Sequence, residues 1–385
     1  MLLFSWPLWT GGGELPRVPF LRPNVAFPMV AESCLACLLL AGVVGAGLAN
    51  RWRPWFAVSL GALVGLLAGD QHRFQPWAYQ YAMTGLFLAA CRGRQGLNLV
   101  RWWFVALYAY SALSKFDASF CDELGPVFLR SALGPWGIDP IGWSHGWRTS
   151  AVLALPAAEI AVAAALAVPT TRAIGRVGAV VMHLALIALL GPLGLNHSAI
   201  VLVWNSVMLV EVWITFGPDA PMTSEPPPLR RREWRSDAAL LIFWAGVLLP
   251  IGERWELFDA WPSHALYASH VGRLSVAVHE SELAAWPVEI RRHVREGDEG
   301  LWKALDLTAW SRRVRGTPIY PQNRASLGLA EALAARYRGR LIRVVVLGPA
   351  DRWTGARRRV QANGLSAIRA LGDLYWLNAH PAPGP

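Results

Sequence analysis

The sequence predicts a mainly α-helical fold, a polytopic membrane bundle of about eight helices followed by a small C-terminal α/β extramembrane domain. Three observations predict it. Apolar residues make up 54% of the 385 residues, and charged residues only 16%, where a soluble domain carries roughly 25%. Apolar runs recur from Met29 onward with short polar breaks between them. From Glu253 onward the composition changes: 18 Arg, 1 Lys and 13 Asp or Glu leave a net charge of +6, with no apolar run long enough to span. These figures exclude a disordered chain, a coiled coil and an ordinary cytosolic enzyme.

Residues 1–28 read as an N-terminal extramembrane segment. The apolar stretch Leu2–Trp9 has no basic residues before it and no small-residue cleavage pattern after it, so it is not a signal peptide. The bundle occupies residues 29–252, with helices expected at about 29–49, 54–69, 76–91, 99–114, 150–168, 174–192, 199–216 and 238–252. Lys and Arg in the connections set the orientation. After the first, third, fifth and seventh helices stand Arg51, Arg53, Arg92, Arg94, Arg101, Arg172, Arg176, Arg230, Arg231, Arg232 and Arg235. The other side holds only Arg17, Arg22, Arg73, Lys115, Arg130 and Arg148. Both termini are therefore expected outside the cytoplasm. The net charge of +10 reads as a topology signal, with the lipid bilayer as partner and no nucleic acid. Glu225–Arg235 is expected to be a linker at the headgroups. Residues 253–385 form the basic C-terminal domain, with strands over Leu274–Val278 and Leu341–Leu347 and helices over Leu301–Val314 and Ala325–Tyr337. His380–Pro385 reads as a disordered tail.

An ionisable side chain inside a spanning segment costs several kcal/mol on insertion scales, so each one calls for a reason. The run Asp70–Trp77 packs an acid, two amides, an imidazole and a guanidinium into a short loop, either an interfacial turn or a pocket wall of Asp70, His72, Arg73 and Trp77. Lysine occurs only at Lys115 and Lys303 against 34 Arg. A membrane-edge Lys115 is either an amine able to lose its proton or a snorkelling charge paired with Asp117. His183 lies midway along a helix. Asn196 and His197 follow its outer end, Asn205 stands two turns into the next helix, and Glu159 and Glu211 sit in apolar surroundings. No zinc-type spacing occurs, so no metal is expected. Cys34 and Cys37 form a CxxC, read as thiol exchange or as packing. The orientation above gathers the 70–77 loop, Lys115, the 196–198 turn, Cys34, Cys37 and Phe258–His264 on one outer face, predicting a single outward-opening polar cavity.

Tyr108–Asp117 (YAYSALSKFD), the Glu159 helix and then His183 resemble the HTTM family, bacterial relatives of vitamin K-dependent γ-glutamyl carboxylase. They also resemble the shorter DoxX/MauE-type redox-associated membrane proteins. The similarity spans roughly residues 70–215. It implies a redox-associated bundle in which Lys115, with Asp117 two residues on, is a base toward a hydroquinone, and a quinone is the expected cofactor. The chain departs from the pattern after the lysine, where Phe120–Gly125 replaces the usual Trp and Gly, and carboxylation is not expected. Two function classes follow. One is a membrane-embedded redox or quinone-linked enzyme with Lys115 and His183 catalytic and His72, Arg73 and His197 as polar pocket groups. The other is a non-catalytic scaffold presenting its basic domain to an extracytoplasmic protein or envelope polymer. Transport has less support, because no inverted repeat is present.

Overall fold

The computed structural model describes residues 1–11, 15–21, 27–91, 93–218, 234–297, 300–337 and 341–382. Most of the expected linker, the end of the tail, and Arg22, Arg92 and Arg230–Arg232 from the charge count lie outside the described residues. The chain folds as two compact units, one of residues 1–75, 271–350 and 356–385, the other of residues 76–270 and 351–355. They do not follow the three sequential segments that composition suggests, because the N-terminal segment and the C-terminal domain share a core.

In the first unit, α1 (Trp6–Trp9) precedes two helices, α2 (Met29–Leu48) and α3 (Trp52–Gly69), both long and apolar enough to cross a membrane. They pack closely because Gly42 lets the backbones approach: a Cβ there would sit 2.7 Å from the Ser59 backbone nitrogen.

The second unit contains α4 (Pro76–Ala90), α5 (Arg94–Leu113), α6 (Gly125–Leu133), α7 (His145–Ala167), α8 (Arg172–Leu190), α9 (Ala199–Thr215) and α10 (Trp234–Leu248). A 3₁₀ turn over Leu249–Trp255 extends α10, so the apolar span reaches 22 residues, Trp234–Trp255. With α7 and α8 this makes five long apolar helices among the described residues, and α9 is a shorter apolar one. The protein is a multi-pass membrane protein. Trp103 anchors the centre of this unit, edge-on to Tyr79 and Phe87 with ring centroids 5.5 and 5.8 Å away. Sequence reading saw only a connection between α5 and α7. Phe120, Phe128 and Leu129 are buried there with Val152 and Leu190, and this apolar face folds a π-helical turn, Phe120–Leu124, and α6.

The rest of the first unit is an antiparallel sheet of order β2-β3-β1-β4-β5. In chain order come β1 (Arg273–His279), α11 (Val288–Arg291), β2 (Val294–Arg295), β3 (Trp302–Leu305), α12 (Leu307–Arg315), α13 (Asn323–Arg336), β4 (Ile342–Leu347), β5 (Arg359–Asn363) and α14 (Gly364–Gly372). Leu305, Val276, Val344 and Ala362 are paired across four strands and all are buried, which fixes the face that α13 and α14 cover. Leu15 and Val18, from the N-terminal segment, are buried in the same core. The helix expected over Leu301–Val314 is a strand and then a helix. Trp302–Leu305 pairs with β1, and the Asp306 carboxylate then accepts the Ala309 backbone N–H at 2.8 Å, capping α12 at its start.

Candidate functional site

Tyr108, Ser111 and Lys115 recur at spacings of three and four, on one face of α5 and just past its end. The Lys115 amino group donates to three acceptors, the Ser111 backbone oxygen, the Ser111 hydroxyl and Glu159 Oε2 of α7, each at 2.8 Å. A lysine ammonium has three donors, and all are filled. Lys115 thus pairs with Glu159 and not with Asp117, the partner that sequence proximity suggested. Further along the same face, the Tyr108 hydroxyl lies 2.8 Å from His183 Nε2, and His183 Nδ1 lies 3.0 Å from Asn205 Oδ1. The amide oxygen only accepts, so Nδ1 carries the proton and Nε2 accepts from Tyr108. The Asn205 amide donates in turn to the Val201 carbonyl at 2.9 Å. Helices α5, α7, α8 and α9 each place one polar group or more in this buried cluster. Gln80 of α4 donates to Glu211 of α9 at 2.6 Å, which accounts for another intramembrane acid.

Asp117 serves elsewhere. Its Oδ1 accepts the Phe120 N–H at 2.8 Å and starts the π-helical turn, while Oδ2 lies 2.8 Å from His270 Nδ1. His270 Nε2 reaches the Glu253 carboxylate at 3.1 Å. Burial pushes the His270 imidazole down, but its bonds to Asp117 and Glu253 outweigh this and hold it above its ordinary 6.5. His270 thus sits between two acids that favour its protonated form. It ends a largely apolar cleft of about 1100 Å³ between α5 and α10. Sequence reading missed Glu253, Arg254, His270 and Arg352. The available signal was the acid–base pair Glu253–Arg254 immediately after the last apolar run.

The remaining expected residues are placed as follows. Trp77 is buried in the first turn of α4, behind Pro76. Asn196 takes a positive φ of 49° in the turn between α8 and α9, and the His197 ring packs edge-on against Tyr267 at 5.7 Å. His264 is buried 4.9 Å from the Trp103 ring, where burial lowers its pKa to about 3. All of these belong to the second unit.

Asp70, His72, Arg73, Cys34 and Cys37 belong to the first. Arg73 is fully buried and clamps Glu32 of α2 with two bonds of 3.2 and 2.8 Å, and donates to the carbonyls of Leu8 and Leu66. Arg17 adds a second guanidinium to Glu32 at 3.0 Å. Asp70 pairs with Arg315 of α12 at 3.2 Å and accepts from the Val18 backbone. Burial pushes the Asp70 carboxyl up, yet Arg315, His72 and Arg73 together hold it below its usual range. His72 Nδ1 accepts the Tyr320 N–H at 3.0 Å, and Gln71 accepts from Arg324 at 2.9 Å. The 70–73 turn therefore knots the N-terminal segment, the α2–α3 pair and the C-terminal domain within one unit. Cys34 and Cys37 are exposed on α2 as free thiols. The expected gathering of these five with Lys115 thus divides between the two units. Among the described residues, no group of three or more His, Cys, Asp or Glu is arranged to hold a metal ion.

The family model of the methylamine utilisation protein MauE matches residues 94–204, from the start of α5 into α9. That stretch, which carries Tyr108, Lys115, Glu159 and His183, is similar to MauE and supports a MauE/DoxX-type membrane family. Neither the curated proteins nor the solved structures yield a match.

Proposed function

We propose that this chain is a redox-associated integral membrane protein of MauE/DoxX type whose Lys115–Glu159 pair handles protons for that chemistry. The observation that carries the reading is the pair itself, a lysine amine and a carboxylate 2.8 Å apart on facing helices of the MauE-like segment. A proton moving from the amine to the carboxylate neutralises both groups at once, so neither state leaves a lone charge in a low-dielectric setting. The Tyr108–His183–Asn205 chain offers a neutral hydrogen-bonded neighbour to relay or orient such a proton. The likeness to HTTM proteins would add a hydroquinone as the group acted on. The residues around Lys115 do not fit that group: a quinone oxygen needs an unfilled donor, and Ser111 and Glu159 occupy all three on the amine.

The test separates proton handling from simple stabilisation. Lys115→Met or Glu159→Gln alone leaves a buried charge unpaired and should cost about 3–5 kcal/mol. The double variant Lys115→Met/Glu159→Gln should recover detergent-phase stability. If the pair handles protons, the wild-type chain should restore respiratory oxygen uptake to vesicles of a deletion strain and the double variant should not. Recovery of both stability and uptake would make the pair structural.

The scaffold reading has its own support in the open sheet face. Arg273, Arg295, Arg343 and Arg359 stand on it with Trp302, whose ring lies 4.0 Å from the Arg343 guanidinium, and the strands contribute no acid to that face. An acidic extracytoplasmic partner would suit such a surface. Arg273→Glu/Arg359→Glu should abolish rescue of the deletion strain under this reading, while the double variant Lys115→Met/Glu159→Gln leaves it intact.

A further inference from the structure

We propose that the cleft between α5 and α10 is a phospholipid site, with an acyl chain along the helices and the phosphate at the Arg254 end. Its volume of about 1100 Å³ exceeds the roughly 300–1,000 Å³ of small-molecule pockets. Alanines on α5, Ala106 and Ala109, open it, and Phe243 and Val247 of α10 form the facing wall. The apolar length ends abruptly in donors. Arg254 Nη2 and the Ser263 hydroxyl are both buried there without a hydrogen-bond partner. A buried guanidinium nitrogen left unfilled is costly, and an acceptor-only head restores what is missing.

The acids nearby do not meet that need. Asp117 and Glu253 are bridged by His270, and Asp117 Oδ2 stays 3.8 Å from Arg254 Nη1. Asp351 accepts from the Trp353 and Thr354 backbones and the Thr354 hydroxyl. A phosphodiester supplies anionic oxygens in the geometry that arginine prefers, and the Arg352 guanidinium adds a second cation at the same end. Two exposed tryptophans, Trp255 and Trp353, line this end as well. Exposed Trp marks the headgroup level of a bilayer, the depth at which a lipid phosphate lies.

The full-length protein, released from nanodiscs holding phosphatidylglycerol, a long-chain fatty acid and an isoprenoid quinone, tests this by native mass spectrometry. One retained phosphatidylglycerol per chain is expected. Arg254→Gln should weaken retention about tenfold, as loss of a charge-assisted contact does. Ala106→Trp, which fills the cleft without touching the donors, should abolish retention at unchanged elution volume and melting temperature. Retention of the fatty acid or the quinone instead, retention equal in all variants, or no retained amphiphile would each overturn the proposal. Because Lys115 and Glu159 play no part in this readout, its result is independent of the proton-handling reading.

Discussion

Two histidines in this chain respond to pH in opposite senses because their neighbours differ. His72 is buried with Arg315 and Arg73 close by, and burial first, then these cations, lower it to about 4 against the pull of Asp70. Between pH 6.5 and 4 the unfolded chain binds a proton that the folded one refuses. Stability is therefore complete above 6.5 and falls as the pH drops toward 4. His72→Asn keeps an acceptor for the Tyr320 N–H and cannot titrate, so melting curves of this variant should flatten across that window. An unchanged slope would refute the assignment. His270 runs the other way. Its raised pKa gives a contribution that is present below 6.5 and lost as the pH climbs through the raised value. Buried charge at Glu32 behaves differently again, being held by Arg73 and Arg17. Glu32→Gln strands Arg73 and should cost about 3–5 kcal/mol, whereas Glu32→Leu/Arg73→Met removes both charges and should cost less, as thermal unfolding of the two would report. Residue types singled out His72, Arg73, Lys115 and Glu159 but neither Glu32 nor His270. Their partners, at separations such as 41 residues for Glu32 and Arg73 and 44 for Lys115 and Glu159, were not legible, because pairing depends on which helices pack together.

Single elements were most readable where one face alone decided them. The apolar runs of α2, α3, α7, α8 and α9 lie near the expected positions, since length and composition suffice to specify a spanning helix. The stretch from Leu301 to Arg315 was misread because its residues suit helix or strand equally. Pairing with β1 makes Trp302–Leu305 a strand, and the Asp306 cap restarts the chain as α12. Asp306→Ala should cost about 1 kcal/mol of that unit's stability, with the loss of amide-exchange protection confined to the first turn of α12. Protection lost evenly across the sheet would show that the cap does more than start one helix. In α5 the same helix serves two surfaces. Tyr108, Ser111 and Lys115 meet the polar cluster, whereas Ala106, Ala109 and Leu113 line the apolar cleft, a division that a 3.6-residue repeat produces once both neighbours exist.

For the molecule as a whole, membrane topology follows from a shared core. Leu15 and Val18, before the first span, are buried with Val276, Val344 and Leu333 from beyond the last one. Two water-exposed segments can build one core only on the same side of a bilayer, so an even number of crossings is the expectation. The positive-inside bias then predicts that this side is extracytoplasmic. In a cysteine-free background, Leu21→Cys and Ala382→Cys should both react with an impermeant maleimide added outside the cell, and Thr170→Cys should not. Labelling in the reverse pattern would invert the orientation, and disagreement between the two termini would break the shared core.

Composition and the spacing of apolar runs determined by themselves that this is a multi-pass helical membrane protein with a basic α/β appendage. They also singled out Lys115, Glu159 and His183, because a charge or imidazole amid hydrocarbon is conspicuous in one dimension. Only the tertiary structure decided that Asp70, His72 and Arg73 tie one unit together, that Glu159 rather than Asp117 meets Lys115, and that unfilled donors end an apolar cleft. Hydrophobic transfer is set residue by residue and can be read along the chain. A hydrogen bond or ion pair exists only between two groups brought within about 3 Å, and folding alone brings them there.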